Sequence, residues 1–231
     1  MRLLFLKIFF IFLIFQPVFA LPIPGEKYFI DINSLSEPYA TKSVANSYNF
    51  VSENSCSLKA PKNFKVNLFA KNLDGPRNIK VASNGDVFIV ESYTGNIKIL
   101  RDNDKDGKSD MEKIFAKGFN KPFGIDINNG FLYIADTDFV WKIPYIPGHL
   151  VQKSKAIKVT ESNALGDSSG HWTRNIAIKE NKMYIAIGSR GNIEIEEYPR
   201  ATIQQLDLIT NKQINFATGI RNPIGLDFHP I

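Results

Sequence analysis

The sequence predicts an all-β protein, a β-propeller of about three blades plus the start of a fourth. Three observations predict it. From Phe64 onward, short stretches alternate apolar and polar residues between Gly, Asn, Asp and Pro: DVFIVES from Asp86, NIKILRD from Asn96, FLYIADT from Phe131 and KMYIAIGS from Lys182. Period-two alternation bounded by turn residues marks half-buried strands. No stretch from 64 to 231 shows the period of a long amphipathic helix. The pattern also repeats. Units open with GPRNIKV at Gly75, KPFGIDI at Lys121, HWTRNIAI at His171 and IRNPIGL at Ile220, so Pro76, Pro122, Thr173 and Pro223 lie 46, 51 and 50 residues apart. A repeat of about 40–50 residues with four strands per unit is the signature of a propeller. A β-sandwich with coincidental similarity is the alternative, and the repeated order of the pattern argues against it.

Taken in chain order, residues 1–20 read as a secretory signal peptide. Arg2 and Lys7 supply the positive end, an apolar run follows from Ile8 to Phe15, and Val18-Phe19-Ala20 fits a cleavage site. An uncleaved membrane anchor is the rival reading. The run is short for a span, and Pro17 and Pro22 flank the cut. Export, to a periplasm or beyond the cell, is therefore expected. Residues 21–61 are weakly patterned and rich in Ser, Asn, Tyr and Pro, an arm leading into a partial propeller domain over 62–231. Cys56 is the single cysteine, so no disulfide within the chain can form. Losing Arg2 and Lys7 with the signal leaves 26 basic against 23 acidic residues, a net charge of +3. That is too mild for a nucleic-acid binder. No later apolar run is long enough to span a bilayer.

In a propeller the innermost strand of each blade lines the central channel, and loops at one end of those strands form the usual site. The inner-strand starts carry Arg77 and Asn78; Pro122 and Phe123; His171, Trp172, Thr173 and Arg174; and Arg221 and Asn222. This set is basic and amide-rich, with one histidine and no carboxylate. It suits an anionic, planar ligand gripped by guanidinium forks and amides rather than a channel metal.

SGHWTRNIAI, YIAIGSRGNIEIEE and FATGIRNPIGLDFHP occur in that order. With them the region from about 62 to 231 resembles the sorbosone dehydrogenase-like and soluble aldose dehydrogenase-like quinoproteins. The resemblance implies a six-bladed propeller that binds pyrroloquinoline quinone (PQQ) with calcium and oxidises a sugar or polyol. It implies that His171 is the general base on the sugar hydroxyl, a role a neutral imidazole suits near pH 7. It further implies cofactor contacts from Arg174 and Asn192, with Arg190 as a companion, while Arg221 and Asn222 stand where they reach the same ligand. The bland readings are that His171 caps a turn after Gly170 and that Arg221 and Asn222 bond neighbouring loops. His149 and His229 lie outside the motifs and read as structural.

The stretch DNDKDGKSDMEK, residues 102–113, leaves the strand NIKILR and enters MEKIFAKG. Asp102, Asp104 and Asp106 fall at positions 1, 3 and 5 of a calcium loop, Gly107 at the sharp turn, Lys108 where a carbonyl ligand belongs and Asp110 at position 9. Lys113 stands where an EF-hand has its bidentate glutamate. The expectation is a shortened structural calcium loop, against an acidic hairpin neutralised by Lys105 and Lys108.

Propellers close at four to eight blades. The sequence thus reads as the N-terminal half of a six-bladed ring, an exported fragment of a PQQ-dependent sugar dehydrogenase-like protein that is inactive without a complementary C-terminal half. The alternatives are a non-catalytic exported binding module and a degraded gene remnant.

Overall fold

The computed structural model describes residues 27, 29, 31–35, 37 and 58–229. The signal-peptide reading over 1–20, Cys56 and most of the arm lie outside the described residues. The chain divides into two units, Met1–Ala40 and Thr41–Ile231. The described part of the first holds a single 3-10 turn, Ile32–Ser34, whose start Asp31 caps by accepting the Asn33 N–H at 3.0 Å.

In the second unit, strand alternation becomes three four-stranded antiparallel sheets, each built from consecutive strands. The first contains β1 (Pro76–Val81), β2 (Val87–Glu91), β3 (Asn96–Arg101) and β4 (Met111–Lys117). The second contains β5 (Gly124–Asn128), β6 (Phe131–Ala135), β7 (Val140–Pro144) and the two-residue β8 (Ile157–Lys158). The third contains β9 (Arg174–Lys179), β10 (Lys182–Ile187), β11 (Thr202–Asp207) and β12 (Gln213–Thr218). Each is one blade of a partial β-propeller, as the repeat predicts. Asn129-Gly130, both at positive φ, make the two-residue turn between β5 and β6 that a twisted hairpin requires.

In the third blade ATIQQLDLIT supplies β11, and QINFAT adds β12 outside it. The segment 222–229 carries no ladder bonds, although the Ile224 carbonyl accepts Asn175 Nδ2 at 2.9 Å.

Cores lie between successive blades. Phe88, Val90, Ile97, Ile99 and Phe115 of the first blade meet Ile125, Leu132, Ile134 and Ile143 of the second. Tyr133, Ala135 and Val140 of the second meet Ile176, Met183, Ile185 and Ile187 of the third. Phe88, Phe115 and Tyr145 stack edge-to-face with centroids 5.0–5.9 Å apart. Each such pair adds about 0.5–1.5 kcal/mol beyond its buried area. Beside this cluster the buried Asp86 carboxylate takes a two-pronged grip from Arg101 at 2.6 and 2.9 Å. Arg101 also donates to the Gly148 carbonyl at 3.2 Å and Tyr145 to Asp86 at 3.3 Å, so this polar latch joins the first two blades.

The inner strands lie side by side, β5 between β1 and β9. Side chains stitch them together: Asn78 Nδ2 to Asn175 Oδ1 at 3.1 Å, and Asp126 between Lys80 Nζ at 2.6 Å and the Ile178 N–H at 2.7 Å. This seam brings the starts of all three inner strands to one rim.

Candidate functional site

The rim gathers residues from each blade. Arg77, entering β1, lays its guanidinium over the rings of Phe123 and Trp172, 5.6 and 5.7 Å from their centroids. Phe123 precedes β5 and Trp172 precedes β9; the two rings meet edge-on at 6.1 Å. The neighbour of Trp172 is His171. Its Nε2 lies 3.2 Å from Asn192 Oδ1, and the same oxygen accepts Arg221 NH1 at 2.5 Å. An amide oxygen only accepts, so a neutral imidazole in this contact would donate from Nε2 and keep its basic lone pair at Nδ1. Asn222, next to Arg221, accepts from the Thr173 hydroxyl at 3.1 Å.

The backbone of His171 is held from several sides. Its N–H donates to the Ser189 carbonyl at 2.9 Å, and its carbonyl accepts Arg174 NH1 at 3.4 Å and Arg200 NH2 at 3.3 Å. Glycine is required at two neighbouring positions. A Cβ on Gly188 would sit 2.5 Å from the His171 oxygen, and one on Gly170, at φ +62, would overlap the Arg190 carbonyl.

Beneath the histidine are two fully buried arginines. Arg174 directs NH2 to the Asp167 carbonyl at 2.6 Å and NH1 to the Thr173 carbonyl at 3.2 Å; its Nε has no hydrogen-bond partner among the described residues. Arg200 donates to the carbonyls of Gly188 at 2.6 Å, Asp167 at 2.6 Å and Ser169 at 2.7 Å, and to the Asp167 carboxylate at 3.0 Å. Burial, then the Arg200 charge, pushes Arg174 down to about 10, still cationic at neutral pH. The Ser169 hydroxyl and N–H, followed by Arg190 and Arg200, hold the Asp167 carboxyl well below the usual carboxylate range.

Of the residues singled out from sequence, the structure therefore brings together His171, Asn192 and Arg221, and sets Asn222 beside them through Thr173. Arg174 sits under this group with its forks turned to backbone carbonyls, and Arg190 reaches Asp167 at 2.9 Å. Sequence reasoning missed Asp167 and Arg200. It also left Arg77, Phe123 and Trp172 unassigned, although all three stand at inner-strand starts.

The acidic loop adopts a tight coil stabilised by its own carboxylates. Asp102 accepts the N–H groups of Lys105 at 2.7 Å and Gly107 at 3.0 Å, Asp104 accepts Asp106 N–H at 3.1 Å, and Asp106 accepts Lys108 N–H at 2.8 Å. One oxygen from each of Asp102, Asp104 and Asp106 lies within 4.8 Å of the others. Asp110 stands apart from this trio, accepting the Asn103 N–H at 2.6 Å, and Lys108 Nζ lies 3.7 Å from Asp106. The segment 66–72 lines this loop, with the Ser109 N–H donating to the Phe69 carbonyl at 2.9 Å.

PQQ, the cofactor implied by the resemblance, is flat and carries several carboxylates. The rim presents two exposed guanidiniums, Arg77 and Arg221, with the amides of Asn192 and Asn222, and the nearby Asp167 carboxylate is already neutralised by Arg190 and Arg200. This donor set fits a planar anion on one side. A cavity of about 470 Å³ opens beside Asn192 and Arg221, walled by Glu196 and Tyr198.

The chain is similar to known proteins in sequence and in fold. Residues 58–231 match the family model described as TrAA12-like. An uncharacterized protein of Borreliella burgdorferi is 30% identical over 187 residues, 76% of this chain and 47% of its own length. The chain thus spans about half the length of that relative. Among solved structures, the holo form of the pyranose dehydrogenase PQQ domain from Coprinopsis cinerea aligns with a TM-score of 0.51 at 20% identity, over 67% of this chain and 37% of its own. The calcium structure of Trichoderma reesei Carbohydrate-Active Enzymes Family AA12 gives 0.51 at 19% identity, over 67% and 39%. At such identities these two likenesses speak to the fold.

Proposed function

We propose, for a chain that belongs to the TrAA12-like family and is related to PQQ-dependent sugar dehydrogenase-like proteins, that its three blades carry the base-bearing arc of a PQQ-dependent sugar oxidation site. The observation that supports this reading is the shared hydrogen bond of His171 and Arg221 to Asn192 Oδ1. It couples a histidine with a defined basic nitrogen to a guanidinium open to an anion. PQQ, when bound, supplies a hydride acceptor for the carbinol carbon. His171 takes the hydroxyl proton at Nδ1, and Asn192 steadies the imidazolium that forms. Arg221 and Asn222 hold the cofactor's anionic edge. Arg174 and Arg200 act through the backbone, keeping His171 in place.

In this reading three blades hold the cofactor from one side, and further blades complete the cage. The chain by itself binds PQQ weakly and turns over no sugar. Calorimetric titration of the chain with PQQ tests the cofactor assignment. Arg221→Ala weakens binding about tenfold, the worth of one charge-assisted hydrogen bond; equal affinity removes Arg221 from the site.

Two further proposals accompany this one. The chain is exported, and amino-terminal sequencing of the mature protein reads Leu21 first; an intact Met1 contradicts it. The trio Asp102, Asp104 and Asp106 binds calcium. Three carboxylates within 4.8 Å repel one another unless a cation lies between them.

A further inference from the structure

The loop between β10 and β11 walls the cavity of about 470 Å³ beside Asn192 and Arg221, and none of the roles above uses that space. Glu196 shapes the loop, its carboxylate accepting the N–H groups of Arg190 at 2.6 Å and Gly191 at 2.9 Å. Tyr198 stands in the wall as an exposed side chain. Its hydroxyl donates at 2.7 Å to Oε1 of the fully buried Gln204. Gln204 Nε2 in turn donates to the Thr202 hydroxyl at 2.7 Å and to Asn215 Oδ1 at 3.3 Å. A network anchored on a buried amide holds its members in one arrangement, so Tyr198 and Asn215 are set before a ligand arrives. The Glu194 carboxylate folds over Gly191, where a Cβ would sit 2.6 Å from its Oε2. Among the described residues Glu194 makes no hydrogen bond or ion pair. Asn215 pairs with Gln204, whereas its neighbour Phe216 meets Tyr184, the partner of Gln205, edge-on at 4.9 Å. Successive residues of a strand face opposite ways, so a further blade packed against Tyr184 and Phe216 leaves the cavity open.

We infer that this cavity holds a second sugar ring, so that the substrate is a di- or oligosaccharide whose oxidised ring lies at His171. The inference rests on the sugar-oxidation reading proposed above and adds the length of the substrate to it. Asn192 and Arg221 border both the histidine and the cavity, so a saccharide seated at His171 continues directly into it. The volume falls within the range of about 300–1,000 Å³ typical of small-molecule pockets. Its lining suits a neutral ring. Tyr198 offers an aromatic face to the C–H side of a pyranose. Glu194 accepts from paired hydroxyls, and the Asn215 amide and Thr218 hydroxyl both donate and accept. The Glu194 charge opposes a polyanion, which separates this space from the place of the cofactor. A single aldose at His171 needs none of these four side chains.

Calorimetry on the chain without PQQ compares glucose, cellobiose and maltose. The expected result is that one of the disaccharides binds about tenfold more tightly than glucose. Tyr198→Ala removes that preference. Glu194→Gln, at an exposed side chain without partners among the described residues, weakens the disaccharide about fivefold, the difference between a charged and a neutral acceptor. Its melting temperature stays that of the unaltered chain, so the loss reports binding and not folding. Equal affinity for the three sugars, or no binding of any, overturns the inference, and so does a disaccharide preference that survives in both variants. The PQQ titration of Arg221→Ala is read separately. PQQ binding that Arg221→Ala weakens, in a chain with no disaccharide preference, overturns the second-ring subsite and leaves the proposed function standing. A disaccharide preference in a chain that binds no PQQ keeps the sugar site and overturns the quinone reading.

Discussion

Arg174 and Arg200 use most of their donors on carbonyls of the loop that carries His171, so the position of His171 depends on two cations that never reach the surface. Removing one leaves buried carbonyls unpaired and the Asp167 carboxylate partly uncompensated. Arg200→Ala is expected to cost about 3–5 kcal/mol of unfolding free energy, read as a fall in the urea midpoint; a loss of a few tenths would show that the loop holds itself. Little of this support was legible in the sequence. His171 was, because its motif is continuous in the chain and stands at a strand start. Arg200 and Asp167 were not. Their partners lie up to 33 residues away, YPRA reads as a surface turn, and GDSSG reads as a loop. A buried arginine looks in sequence like any exposed one until the fold supplies its carbonyls.

At the scale of elements, apolar runs bounded by turn residues were legible. β2 is apolar and buried along nearly its whole length and β3 alternates, whereas β8 is two residues long and leaves no trace; β12 alternates in sequence although the structure leaves it mostly exposed. The latch between the first two blades shows its chemistry in pH. Burial, then the Asp86 charge, pushes the Tyr145 phenol from its ordinary 10 up to about 12. Below pH 10 that group is neutral in both states and its contribution to stability is whole. Between pH 10 and 12 the unfolded chain loses the proton first, and the contribution is lost. Tyr145→Phe is therefore expected to flatten the alkaline fall in stability over this window; an unchanged slope would remove Tyr145 from the latch. The acidic loop makes its own prediction. Calcium raises the melting temperature by mass action, and the double variant Asp104→Ala, Asp106→Ala abolishes that rise. An equal rise in both proteins would place the ion elsewhere.

Across the molecule, three blades fill part of a ring that needs at least four. Ile79 and Val81 on β1, and Ile214 and Phe216 on β12, stay exposed, as apolar flanks of blades with uncovered neighbours do. The 46- to 51-residue repeat made this architecture legible, because each blade is one copy of the same local pattern. That Arg77, Phe123 and Trp172 share one rim was legible from their places at inner-strand starts, but their ring and guanidinium contacts arise only when the inner strands lie side by side. The central claim is that His171 is the base of a quinone-dependent sugar oxidation. It is tested most directly by dye-linked aldose oxidation with PQQ present and with the remaining blades supplied, as a separate chain or a continuation of this one. The account predicts that His171→Ala lowers the rate about 10²–10⁴-fold while PQQ affinity is unchanged. Equal rates for His171→Ala and the unaltered protein would contradict it.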